Sequence, residues 1–140
     1  MAKIKGGCLC GQVHYEISAG PIMSGHCHCT DCQKSSGSGH TEHVMFPKAA
    51  VKITGKFSEF KSKADSGNTK TQAFCPNCGS PVYATSSGMP DMMTVRAGTL
   101  EDPEIFKPQV AVYAIRRHSW DHVDAAVPSF DRMPPMQKTA

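Results

Sequence analysis

Apolar and polar positions alternate along this chain in short runs of period two, with no amphipathic helix of useful length. Val13, Tyr15 and Ile17 alternate with His14 and Glu16, the pattern of a half-buried strand. Gly20-Pro21 marks a turn, and Ile22 to Cys27 reads as the next strand. Asp31 to Ser36 is expected to form one short helical turn, and Ser35-Ser36-Gly37-Ser38-Gly39 is too rich in glycine to continue it. Thr41 to Phe46 reads as a strand ended by Pro47. Val51 to Thr54 and Phe57 to Phe60 flank Gly55-Lys56, which reads as a hairpin link. Lys61 to Lys70 is polar and turn-forming and is expected to be a mobile loop. Thr71 to Phe74, Pro81 to Thr85 and Met92 to Ala97 read as strands, with a loop at Ser86 to Pro90. Glu101-Asp102-Pro103-Glu104 suits a brief helix with proline early in it. Val110 to Ile115 reads as a last core strand. From Val123 onward proline among polar residues predicts a loosely wrapped tail, with 132–140 flexible. The expected fold class is mainly β, with strands held around metal knuckles.

Length adds that 140 residues make one domain with a real core. The net charge of +3 is scattered, which argues against nucleic acid or membrane as a partner. The residues Met1 to Gly7 lack the apolar stretch of a signal peptide, so the expected location is cytoplasmic, where thiols stay reduced or bind metal. Seven cysteines cannot all pair within one chain, which again favours metal over disulfides.

The thiols fall into pairs and a trio. Cys75-Pro76-Asn77-Cys78-Gly79 is a zinc knuckle pattern, and Gly7-Cys8-Leu9-Cys10-Gly11 places glycine on both sides of a Cys-x-Cys pair. His26-Cys27-His28-Cys29-Thr30-Asp31-Cys32 carries three more thiols. Alternate residues of a straight strand lie about 6.6 Å apart, whereas sulfurs on one zinc lie about 3.8 Å apart, so a shared ion requires a bend. Gly25 before the run and Ser35-Ser36-Gly37 after it offer one. The natural partition is Cys8, Cys10, Cys75 and Cys78 as a closed four-thiolate site, and Cys27, Cys29 and Cys32 as an open one. A tetrahedral ion with three protein ligands keeps one position free for substrate, the arrangement of catalytic zinc. Two other readings stay open at this point: a single ribbon of Cys29 and Cys32 with Cys75 and Cys78, and reduced cysteines that merely pack.

The same residues resemble the glutathione-dependent formaldehyde-activating enzyme family, also called the CENP-V/GFA domain. The matching stretches are Gly7 to Gly11, His26 to Lys34, Phe74 to Pro81 and Val95 to Leu100, with a weaker match at Lys107-Pro108-Gln109. In order and spacing they cover 4–131, nearly the whole chain. The resemblance implies an Mss4-like β fold and two zinc ions, a structural one at Cys8, Cys10, Cys75 and Cys78 and a catalytic one at Cys27, Cys29 and Cys32. It implies a carbon–sulfur lyase, similar to S-(hydroxymethyl)glutathione synthase, joining a glutathione-like thiol to formaldehyde or a related small aldehyde. Ser35 to His40 departs from the family's pattern.

Three thiolates leave a zinc complex with one net negative charge, which suits a soft fourth ligand such as a substrate thiolate. The expected partners are therefore a small-molecule thiol and an aldehyde. His26 and His28 are expected to face away from Cys27 and Cys29 on an extended segment. His40 and His43 are candidate pocket residues, and Lys34 and Arg96 candidate binders of substrate carboxylates. Arg116, Arg117, His118 and Trp120 would rim a pocket or a homodimer face; Met92 and Met93 read as core. The competing function is a noncatalytic zinc-scaffold interaction module, which would have no need of an incomplete zinc shell. A redox thiol protein is a weaker third, since zinc would consume its reactive sulfurs.

Overall fold

The computed structural model describes residues 3–134. The strands are β1 (Ile4–Gly7), β2 (His14–Ile17), β3 (Met23–Cys27), β4 (Thr41–Pro47), β5 (Val51–Thr54), β6 (Ser58–Lys63), β7 (Thr69–Phe74), β8 (Pro81–Ser86), β9 (Met89–Arg96) and β10 (Val110–Val112). One α-helix, α1 (Thr30–Ser36), follows β3. The protein is mainly β, in two sheets: β1-β2-β5, and the seven-stranded order β10-β3-β4-β9-β8-β7-β6.

The period-two pattern decides what lies between the sheets. Val13, Tyr15 and Ile17 are fully buried and pack with Val44 and Phe46 of β4, Val82 of β8 and Val95 of β9. Each such side chain contributes about 1.5–3 kcal/mol by leaving water. The Tyr15 hydroxyl donates to Thr99 Oγ1 at 2.7 Å, and Thr99 in turn donates to the Arg96 carbonyl. Gly6 lies directly over that ring: a Cβ there would sit 2.3 Å from the Tyr15 oxygen. Because strand residues alternate, the other face of the large sheet carries the intervening set, including His43 and Met45 of β4 and Met92 and Thr94 of β9.

Several expectations are corrected. β5 and β6 are not a hairpin: β5 pairs with β2 and β6 with β7, and Gly55 at φ +105° turns the chain from one sheet to the other. Lys61 to Lys70 is strand at both ends, because β6 and β7 pair from Ser58↔Phe74 to Lys63↔Thr69, and only 64–68 forms the turn. Polar composition misled there because β6 is the edge strand of the sheet, where side chains meet water, and the adjoining ends of β6 and β7 carry polar residues. Ser86 to Pro90 narrows to the tight turn between β8 and β9. β1 escaped the pattern because two of its four residues are glycine. Val110 to Ile115 stops being strand after Val112: Tyr113 takes φ +54°, and a single 3-10 turn follows. The tail is held rather than loose at 128–130, where Ala111 N–H donates to the Pro128 carbonyl and Phe130 N–H to the Ala111 carbonyl. Part of the predicted tail, 135–140, lies outside the described residues.

Candidate metal centre and adjoining cavity

Among the described residues, Cys8, Cys10, Cys75 and Cys78 bring their sulfurs within 4.8 Å of one another, and Cys27, Cys29 and Cys32 do the same. Cysteine groups at this spacing can bind metal, which makes two candidate sites. No such group joins Cys29 and Cys32 to Cys75 and Cys78.

The four-cysteine group closes the end of the sandwich. Gly11 and Gly79 both take positive φ, +82° and +77°, and turn the two cysteine loops toward each other. The Cys10 sulfur lies 3.7 Å from those of both Cys8 and Cys75, 65 residues away. The amide of Val13 donates to Cys8 Sγ at 3.2 Å. Ser80, 3.3 Å from Cys78 Sγ, is the main cause that brings the Cys78 thiol down to about 5. Such a group gives up its proton readily to a cation.

The three-cysteine group stands where β3 ends and α1 begins. Gly25 does not supply the bend. It sits inside β3, paired with His43 and Val110, where a Cβ would meet the Val110 carbonyl at 2.8 Å. Its role is to let β10 lie close alongside. The bend comes after Cys27, when the chain leaves the sheet and Cys29 caps the helix, its sulfur accepting the Cys32 amide at 3.3 Å. Amide donors at a helix start favour negative charge on that sulfur. Among the three, the thiols of Cys27 and Cys29 donate toward Cys32, and His43 Nε2 stands 3.6 Å from its sulfur. Those contacts push Cys32 far below the ordinary thiol value, whereas its hydrogen bonds to Cys29 and Cys32, followed by burial, push Cys27 far above it. Lys70 on β7 places Nζ 3.7 Å from the Cys32 sulfur. Cys32 thus gathers the trio's negative charge, beside one ammonium and one imidazole.

A cavity of about 230 Å³ opens beside Cys27 and Cys32. It lies on the large sheet's second face, walled by parts of β3, β4, β8, β9 and β10, with Lys70 and His43 near the thiols. His43 is therefore a pocket residue, as expected. Its Nε2 also pairs with the Thr41 hydroxyl. His40 is not: both of its ring nitrogens face carboxylates, Nδ1 at 2.8 Å from Asp121 and Nε2 at 2.9 Å from Glu42 Oε1. His26 and His28 turn toward His40, with ring centroids at 4.9 and 5.1 Å. These residues also form two nitrogen–oxygen groups of metal-binding spacing, His26-His40-Glu42 and His28-His40-Asp121. Gly39 makes room for Asp121, since a Cβ would stand 2.5 Å from its carboxyl group. Burial lowers the His28 basicity; burial also works to raise Asp121, but the bond and charge of His40 outweigh it and hold that carboxyl below the ordinary range.

Lys34 is exposed, and Arg96 donates to Ser35 Oγ at 2.9 Å; neither lines the cavity. Arg116 bonds Thr30 and Asp65, and His118 donates to the Gln33 amide oxygen, so this cluster braces α1 from outside. Trp120 stacks on His118 and remains 65% exposed, while Arg117 is exposed. Met93 is buried as expected, but Met92 lines the cavity. Sequence reasoning missed Lys70, hidden in a presumed loop. It also missed Asp121, whose partner lies 81 residues away. The strand parity that puts Met45 on the same face as His43 was legible, yet it pointed to no ligand.

A mainly β protein with two cysteine clusters, one of them beside a cavity, is the class that fold and site define. The family model of the glutathione-dependent formaldehyde-activating enzyme matches residues 3–116, and the chain belongs to that family. A crystal structure of a Rhodobacter sphaeroides protein has a similar fold, with a TM-score of 0.56 at 19% identity, over 69% of this chain and 87% of that one. No curated protein shows significant similarity.

Proposed function

We propose that the protein is a zinc-dependent carbon–sulfur lyase or synthase that joins a thiol to formaldehyde or a related small aldehyde at Cys27, Cys29 and Cys32. The observation that carries it is a three-sulfur group with a cavity at its side, in a chain of this family. The thiolate donors of both groups fit zinc, with Cys8, Cys10, Cys75 and Cys78 in a structural role. Zinc held by Cys27, Cys29 and Cys32 would supply Lewis acidity that favours the thiolate form of a substrate thiol.

The chain's own residues set the rest. Lys70 and His43 face the Cys32 sulfur and offset the negative charge gathered there. His43 Nε2 is the proton-handling atom nearest the trio: it takes the thiol proton and returns it to the aldehyde oxygen. The sulfur forms a bond to the carbonyl carbon, the carbonyl π pair becomes the hydroxyl, and an S-hydroxyalkyl thiol results. Read backward, the same steps are the lyase reaction. The strands on either side hold the reacting ends together.

Zinc content and adduct formation, measured together on Cys32→Ser, test this. The expected result is one zinc lost, one retained and no turnover. Undiminished turnover with a single zinc per chain overturns the assignment.

A further inference from the structure

The cavity's lining is at odds with a glutathione-like substrate. Five of the chain's eight methionines reach it: Met23, Met45, Met89, Met92 and Met133. Val110 and Val112 of β10 and Ala84 of β8 extend this apolar wall, and Thr85, Ser86 and Thr94 are uncharged polar members of the cavity. Among the described residues no carboxylate lines it, and the one permanent cation there, Lys70, stands 3.7 Å from Cys32. Lys70 is thus committed to the reacting end. Glutathione brings two carboxylates and an ammonium, and neither Arg96 nor Lys34 is placed on this cavity to receive them.

Size points the same way. An engineered cavity of about 150 Å³ holds benzene, so about 230 Å³ suits roughly nine non-hydrogen atoms; a tripeptide thiol has about twice that number. Met23, Met89 and Met133 are 41%, 40% and 58% exposed, so three large apolar side chains meet water together at the cavity. Methionine is flexible and polarisable, and such side chains re-pack around apolar guests of varied shape.

Resting on the proposed thiol–aldehyde reading, we infer that the thiol substrate is hydrophobic, an alkyl or aryl thiol of about nine non-hydrogen atoms whose apolar body fills the methionine-lined cavity and whose sulfur reaches Cys32. The chemistry is unchanged: the sulfur–carbon bond forms, and the thiol's proton ends on the aldehyde oxygen, so no oxidant or reductant is needed.

The test compares benzyl mercaptan with glutathione, each with formaldehyde, by NMR of the adduct and by calorimetric binding to the zinc-loaded protein. Benzyl mercaptan is expected to bind at least tenfold tighter and to turn over with the higher kcat/KM. Met45→Gln and Met92→Gln should each weaken it by about tenfold, the loss expected when the contact of one buried side chain becomes polar. A third arm measures butylbenzene, which has no thiol, on wild type and on Cys32→Ser. Its binding to both, with no adduct formed by any thiol, would remove the enzymatic reading and leave the cavity's assignment standing. Equal affinity for the two thiols overturns the inference. So does a preference for hexanal with glutathione over formaldehyde with benzyl mercaptan, or methionine variants that fold and bind benzyl mercaptan as wild type does.

Discussion

Replacing Lys70 by methionine removes the ammonium beside the trio while keeping most of the side chain's length. At 3.7 Å from the Cys32 sulfur, a unit charge pair at an effective dielectric of about 20 is worth about 4.5 kcal/mol. Lys70 is only half-buried, so solvent and salt reduce that figure; about a third of it, about 1.5 kcal/mol, is the expected share. Every step that adds negative charge at the trio should feel this loss. Lys70→Met should therefore lower thiol affinity and kcat/KM by about tenfold each at low salt, with a smaller deficit at high salt. Lys70→Arg should recover part of it. Stability should change little, because the residue is not part of the core between the sheets. The assay is thiol binding and adduct formation at two ionic strengths, with zinc content measured in parallel. Wild-type kinetics in Lys70→Met, at unchanged metal content, would refute the electrostatic reasoning. So would a deficit that high salt deepens.

Gly25→Val should destabilise by about 1–3 kcal/mol, since its Cβ would lie 2.8 Å from the Val110 carbonyl and force β10 away; the drop in Tm, with hydrogen exchange at Ala111 and Phe130, checks it. Removing metal with a strong chelator should release the clip between Cys10 and Cys75 and cost about 4 kcal/mol by loop entropy, read by urea unfolding; Cys10→Ser should be insensitive to the chelator at that site. Stability should fall as pH drops. His28, its basicity lowered by burial, binds a proton more readily when unfolded, so its contribution is lost as pH falls below about 6.5. Asp121, held below its usual 3.8, adds a further loss as pH falls past that value, and Asp121→Asn should flatten this second segment of the stability–pH curve.

The cysteine spacings, the glycines around them and the period-two runs pointed to the fold class and made a quartet and a trio the natural division of the thiols. Those are local facts: sulfur placement depends on a turn of a few residues, and strand parity on the side chain's fixed alternation. Val13, Tyr15 and Ile17 announced their burial for the same reason. What the chain in one dimension withheld was which strands become neighbours. Lys70 reaches Cys32 only because β7 lies in the same sheet as β3, and Asp121 reaches His40 only because the segment after β10 folds back over β4. The hairpin expected at Gly55-Lys56 failed because pairing is chosen by burial across two sheets, not by the turn alone. The cavity is the fullest case. Methionines from four separate stretches carry no shared pattern in sequence, and they acquire a common meaning only when the sheet sets them on one face, beside three sulfurs.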